Sequence, residues 1–149
     1  MEVYQATLSD LKGVSNLFNL YRMFYKQQSN LNGAELFISE RLKNEESVIF
    51  VAVDQGKYLG FTQLYPSFSS VSMKRTWILN DLYVHQEARK KGVAQKLLET
   101  AKEYALSTGA KSLELQTAPG NKDAQRLYEK NGYKVDSSFL NYSLNLVHS

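Results

Sequence analysis

The stretch "WILNDLYVHQEARKKGVAQKLLETA" (Trp77–Ala101) decides the fold. Its first third is an apolar run that reads as a central strand, Trp77–Val84. Its last third starts a helix that puts Val93, Leu97, Ala101 and, just beyond the stretch, Ala105 on one face, joined by Ala94 and Leu98. Between them Arg89, Lys90 and Lys91 crowd beside Gly92. A helix start exposes about four unpaired N–H groups and about half a positive charge. Cations placed there repel one another unless an anion sits among them. Gly92 lets such an anion approach the backbone closely. The stretch therefore reads either as a seat for phosphate or pyrophosphate or as three solvated loop charges. It is neither a G-x-x-x-x-G-K-[ST] loop nor a dinucleotide fingerprint, whose first glycine is missing.

Working outward, elements of both kinds alternate, which favours an α/β layer architecture. Val3–Ala6 reads as a first strand. Ser9 or Asp10 is the expected cap of a helix carrying Leu11, Val14, Phe18 and Tyr21 at helical spacing. "SNLNG" breaks the chain before a second helix near 34–43. Ser47–Val53 and Tyr58–Tyr65 read as a hairpin around "DQGK", with "PSFSSVSMKR" as a loop after it. Pro66 and Pro119 are expected at strand ends. After the opening stretch come a helix stop at Gly109, a strand Ser112–Thr117, a short helix closed by Asn131 and Gly132, and a terminal hairpin in "KVDSSFLNYSLNL". The order is β-α-α-β-β-β-α-β-α-β-β.

A length of 149 residues suits one domain, 1–149, and 43% hydrophobic content supports a single core. The absence of cysteine excludes disulfides, thiolate metal sites and a covalent cysteine intermediate. No metal is expected. No apolar run approaches the roughly 18 residues that cross a membrane. "MEVYQATLSDL" lacks the basic and apolar regions of a signal peptide, so the expected location is cytoplasmic. A net charge of +3 is too small to argue for nucleic acid, and one short basic cluster gives no extended stripe.

The frame of strand, "ARKKGVA" loop, helix, strand and "NKDAQRLYEKNGY" resembles the GNAT superfamily of acetyltransferases. The R/Q-x-x-G-x-G/A signature stands as Arg89-Lys90-Lys91-Gly92-Val93-Ala94, with Ala94 in place of the commoner second glycine. The N-x-x-A-x-x-L-Y-x-x-x-G-[FY] region stands as Asn121, Ala124, Leu127, Tyr128, Gly132 and Tyr133. The resemblance spans nearly the whole chain. It implies a single mixed, mostly antiparallel sheet of six to seven strands, with about four helices on both faces and two central strands splayed apart. It also implies an acyltransferase of the EC 2.3.1 class that uses acetyl-CoA as cosubstrate.

By that resemblance the pyrophosphate lies on backbone from Arg89 through Lys90, Lys91, Gly92 and Val93 to Ala94, and Asn121 and Ala124 also belong to the cofactor site. The pantetheine arm pairs with Leu82, Tyr83 and Val84 as an added strand would. An alkylammonium, with a pKa near 10.4, must lose a proton before it attacks a thioester. Tyr128 matches the family's general-acid tyrosine, or packs its helix as one of ten tyrosines. "LNDLYV" resembles the "L-E-D-[IL]-Y-V" strand of polyamine acetyltransferases, with Asn80 where that family has glutamate. Asp81 is then the candidate base, or a structural carboxylate; His85 is a weaker alternative, and His148 is expected to fray. Strict alternation puts Asp81 on one face with Leu79 and Tyr83, unless a bulge intervenes.

The acceptor cleft is expected between "LYRMFYKQQSN" and "YPSFSSVSMKR". There Tyr21, Phe24, Tyr25, Tyr65 and Phe68 form an aromatic box or pack the core. Glu35 pairs a second ammonium or favours its helix start. Tyr21, Tyr25, Glu35 and Asn80 are the candidate acceptor-binding residues. The expected partner is a small amine, such as a polyamine or amino acid, with a homodimer possible. The alternatives are a protein lysine acetyltransferase or a non-catalytic acyl-CoA sensor.

Overall fold

Short capped segments start the chain. In the computed structural model, which describes residues 1–147, β1 (Glu2–Gln5) is followed by a 3-10 turn at Leu8–Asp10. Thr7 caps that turn, accepting from the Ser9 N–H in a reciprocal capping box with Asp10, and Asp10 stands at the N-cap of the helix that follows, without a side-chain cap bond. The chain divides into two compact units, Met1–Gln116 and the residues from Thr117 onward.

In the first unit α1 (Leu11–Phe24) and α2 (Leu31–Lys43) precede β2 (Val48–Asp54), β3 (Lys57–Ser69) and β4 (Lys74–Val84). Then come α3 (Val93–Ser107) and β5 (Leu113–Glu114). Asn30, whose side chain accepts from the Gly33 N–H, starts α2 three residues earlier than its apolar spacing suggests. The sheet order is β1-β2-β3-β4-β5, antiparallel except for the parallel β4–β5 pair.

Alternation along the strands sorts two cores. Ile49, Val51 and Phe61 face α1 and α2, against Val14, Leu17, Phe18, Ala34 and Ile38. On the other face Phe50 and Trp77 each lie 5.4 Å, ring to ring, from Tyr104 of α3. Gly60 brings α3 close to the sheet. A Cβ there would stand 2.8 Å from the Tyr83 carbonyl oxygen and 3.1 Å from a Val93 methyl.

Three expectations are corrected. The sheet has five strands, not six or seven: residues 134–147 of "KVDSSFLNYSLNL" and its flank form no strand among the described residues, and the terminal hairpin is absent. The strand expected at Ser112–Thr117 pairs only at Leu113 and Glu114. Most of the "PSFSSVSMKR" loop is instead paired strand, since β3 and β4 continue to Ser69 and Lys74. Pro66 therefore sits inside a strand, opposite Trp77. The Trp77 N–H donates outward to Ser112, so Pro66's missing donor faces away from β4. On that side β2 has already ended at Val48, opposite Leu64, so no ladder bond is lost.

The second unit contains α4 (Lys122–Lys130), capped by the Asn121 side chain accepting from the Ala124 N–H at 3.3 Å. His148 lies outside the described residues.

Asp10 ties the first unit's start to the hairpin. Its carboxylate accepts from Tyr58 at 2.6 Å, Tyr4 at 2.8 Å and the Thr7 N–H at 2.9 Å. Burial pushes its pKa up, but these three donors outweigh burial and hold it below the ordinary carboxylate value. A lowered folded pKa gives stability that is complete above the unfolded value of about 3.9 and is lost as pH falls through the folded one. Asp10→Asn should cost about 1.5–3 kcal/mol near neutral pH. Denaturant melts at pH 7 and at pH 3 should show that cost shrinking in acid.

Candidate active site

The register of β3 and β4 shifts between Gln63 and Leu64, where Asp81 and Leu79 are consecutive partners and Asn80 is the unpaired extra residue. One such bulge transposes the faces of everything beyond it. Leu79 lies opposite Leu64. Asp81 lies opposite Gln63 and Tyr83 opposite Phe61, and Phe61 belongs to the α1–α2 core. Asp81 thus shares a face with Tyr83 but not with Leu79, as strict alternation would have it.

The turned carboxylate is 4% exposed. Gln63 Nε2 donates to Asp81 Oδ2 at 2.7 Å, and Asn80 Nδ2 donates to Oδ1 at 3.1 Å. Ser47 Oγ donates to Gln63 Oε1 at 2.7 Å, which fixes the amide so that its NH₂ faces the acid. Burial raises the Asp81 pKa, and hydrogen bonds from Gln63, Tyr21 and Asn80 oppose that rise without cancelling it. Tyr65 is pushed up to about 12, chiefly by burial, with the Asp81 charge adding to it.

Tyr21 joins α1 to this spot. Its hydroxyl donates to the Asn80 carbonyl at 3.4 Å, and its ring lies 5.1 Å from Tyr25 and 6.2 Å from Tyr83. Tyr25 is 54% exposed and 5.3 Å from Phe24. Tyr21, Phe24, Tyr25 and Tyr83 thus form one aromatic group beside Asp81. Phe68 does not join it; it lies 4.8 Å beneath the Arg75 guanidinium in the extended part of the hairpin. Glu35 is half-buried on α2, and its side chain makes no hydrogen bond or ion pair among the described residues. His85 is occupied: its Nδ1 accepts from the Glu87 N–H and caps a 3-10 turn, Gln86–Ala88.

After that turn Lys90 adopts φ 63° and Gly92 φ 79°. No side chain caps α3. A Cβ on Gly92 would meet nothing within 4 Å, so the space above this backbone is open. Lys90 and Lys91 are exposed. Arg89 turns back instead: Nε donates to the Val84 carbonyl at 3.2 Å, and its guanidinium lies 5.7 Å from the Tyr83 ring centre and 5.9 Å from that of Phe24. β4 pairs with β5 only at Trp77 and Ile78, so Leu82, Tyr83 and Val84 have no β5 partner among the described residues. An uncapped helix start and an unpaired strand edge are the features an anionic, strand-like ligand requires, and both fit acetyl-CoA.

In the second unit Tyr128 is half-buried on α4, its ring 5.8 Å from Tyr133. Burial, with Tyr128 adding to it, pushes the Tyr133 hydroxyl up to about 12. Sequence reasoning missed Gln63 and Ser47. The signal for Gln63 was an amide inside the strand run "GFTQLY"; Ser47 carried none.

The chain belongs to the acetyltransferase (GNAT) family, whose model matches residues 14–133. It is an acetyltransferase of the EC 2.3.1 class, and membership implies acetyl-CoA as acyl donor. It is 54% identical over 146 residues to the uncharacterized N-acetyltransferase YhfO of Bacillus subtilis, covering 98% of each chain. A D-amino-acid N-acetyltransferase of Saccharomyces cerevisiae is 35% identical over 83 residues, 56% of this chain and 52% of that one. The crystal structure of a probable acetyltransferase superposes with a TM-score of 0.95 at 44% identity, over 100% of both chains.

A raised carboxyl pKa means the folded chain holds the proton more tightly than the unfolded one. Stability therefore falls as pH rises from the unfolded value, about 3.9, through the folded one. Asp81→Asn keeps the shape without the charge. It should flatten that part of the stability curve, measured by urea melts from pH 4 to 8, with the variant at least as stable as the parent at the upper end.

Proposed function

We propose that the chain transfers the acetyl group of acetyl-CoA directly to the primary amine of a small molecule, a polyamine, an amino acid or a similar compound. The observation that carries this reading is Asp81: an acid buried at a bulge, with raised pKa, beside a partly exposed aromatic group. The similarity to a D-amino-acid N-acetyltransferase supports an amine of that size.

Acetyl-CoA supplies a thioester carbonyl that an amine attacks. The backbone from Arg89 to Ala94 seats the pyrophosphate, with Lys90 and Lys91 supplying charge and the open Gly92 giving close approach. Leu82 and Val84 offer strand N–H groups at the free edge to the pantetheine, with Tyr83, paired to Phe61 of β3, between them, and those N–H groups also stabilise oxyanion charge. Asn121 and Ala124 keep α4's first turn closed. Arg89 positions the loop against Val84 rather than reaching for phosphate. Asp81 takes the ammonium proton. Tyr128, by its place in the family motif, donates a proton to the departing thiolate. With no cysteine in the chain, the acyl group passes without a thioester to the enzyme.

Release of free thiol from acetyl-CoA against polyamines, diamines, amino acids, aminoglycosides and a histone-tail peptide tests the reading. Turnover with a small amine is expected; turnover with the peptide alone would contradict it. Tyr128→Phe should slow turnover by about ten- to a thousand-fold with acetyl-CoA affinity largely intact. A near-normal rate across the pH range would remove the acid role.

Gly92→Glu strains a left-handed backbone and adds a negative charge where the pyrophosphate lies. Acetyl-CoA affinity should fall by about tenfold or more, roughly 1.4 kcal/mol, in a calorimetric titration. Unchanged affinity would discredit the phosphate loop.

A further inference from the structure

Between α1 and α2 the surface holds an open depression of about 290 Å³, lined by Phe18, Arg22, Asn30, Gly33, Ala34 and Phe37. Its apolar wall is a stacked pair, Phe18 and Phe37, with ring centres 5.4 Å apart and planes 8° from parallel. Its cation is Arg22, and that arginine is unlike the others. Arg41 pairs with Glu40 and Glu46, and Arg126 with Asp123. Arg75 covers Phe68 and Trp77, and Arg89 is held by Val84, Tyr83 and Phe24. Arg22 makes one bond, from Nη1 to the Gln28 carbonyl at 3.3 Å, and has no carboxylate partner among the described residues. Most of a planar five-donor fork is left over beside an apolar wall.

Two packed rings separate the depression from the candidate base. Phe18 stacks on Tyr21 with centres 6.3 Å apart, and the Tyr21 hydroxyl donates to the carbonyl of Asn80, the neighbour of Asp81. A group seated at Arg22 and an amine at Asp81 are therefore separated by the span of these rings, more than the two bonds between the amine and carboxylate of an α-amino acid.

We propose that Arg22 binds the carboxylate of the acceptor, and that the acceptor is an amino acid whose reacting amine lies several bonds from that carboxylate. The chain joining the two rests on the Phe18–Phe37 wall. This rests on the reading of Asp81 as base. Arg22 is a specificity residue, since a bidentate guanidinium–carboxylate pair rejects the same amine without its carboxylate.

Lysine and cadaverine differ only by the carboxylate. Their binding is measured by calorimetry, with and without saturating CoA, which permits no acetyl transfer. The parent should bind lysine about tenfold or more tighter than cadaverine, an advantage of about 1.4 kcal/mol. Arg22→Gln should abolish the difference by weakening lysine alone, and Arg22→Lys should restore part of it. Asp81→Asn should keep the preference while losing turnover. Equal binding of the two amines by the parent, or a preference that survives Arg22→Gln, overturns the proposal. So does an Arg22→Gln variant that melts lower yet keeps the preference, because Arg22 then only opposes the dipole at the end of α1. A lysine preference without turnover in the parent supports the Arg22 site and counts against the catalytic reading alone.

Discussion

One extra residue in β4 governs the site. With Asn80 outside the ladder, the strand beyond it is turned by one face, and a carboxylate that alternation would send toward α3 is buried under α1. A buried acid without donors is costly. Here Gln63 and Asn80 supply them, and the Ser47 bond removes the alternative in which the Gln63 carbonyl faces the acid. The polar chain Ser47–Gln63–Asp81 is satisfied link by link, while burial still dominates the acid's proton affinity. Parallel pairing with β5 stops at Ile78, just before the bulge, so the same stretch of β4 that carries the acid also has a free edge.

The candidate anion loop depends on the opposite face. α3 is held against the sheet where Gly60 leaves no side chain, with Val93 and Leu97 nearest that gap. Val93 is the first residue of α3, so the packing that fixes the helix also fixes its uncapped start relative to β4. Ala88, 2% exposed, anchors the turn before it. Arg89 closes the segment onto Val84. The loop's open conformation is thereby set by buried contacts on both sides, and not by the exposed lysines themselves. The labour is divided between the two cores, since the α1–α2 core sets the acid and the α3 core sets the loop.

Features encoded in local periodicity were legible. The α3 stripe, the hairpin around "DQGK", the glycine before α3 and the close of α4 at Asn131 and Gly132 all rest on residues within a turn or two of one another. Family motifs added Tyr128 and the Arg89–Ala94 loop as candidates. The bulge was foreseen only as an option, because it depends on how two strands align rather than on either alone. The length of β3 and β4 was hidden by Pro66, which is harmless only because β2 ends before reaching it. "FLNYSLNL" alternates as a strand should, but alternation specifies faces and not a partner; no strand forms there among the described residues. Ser47 and Arg22 were unreadable for a related reason. A serine at a strand end and an arginine in a helix's last turn are ordinary until the partner, or its absence, is seen.

Burial of Asp81 also bears on whether a carboxylate suffices as base. In water an alkylammonium near 10.4 and a carboxylate near 3.9 differ by about 6.5 pKa units, roughly 9 kcal/mol against proton transfer. Desolvation narrows that gap from both ends, raising the acid and lowering the ammonium, by up to about 3–5 units each for fully buried groups. The direction at Asp81 is the required one, with burial as its first cause. An amine brought against it leaves water too, so a charged pair becomes a neutral acid and a neutral amine, the pair that a low dielectric favours. The donors from Gln63 and Asn80 oppose the rise at Asp81, because they favour the carboxylate. The same residues that make the bulge tolerable thus temper the proton affinity that burial gives the candidate base.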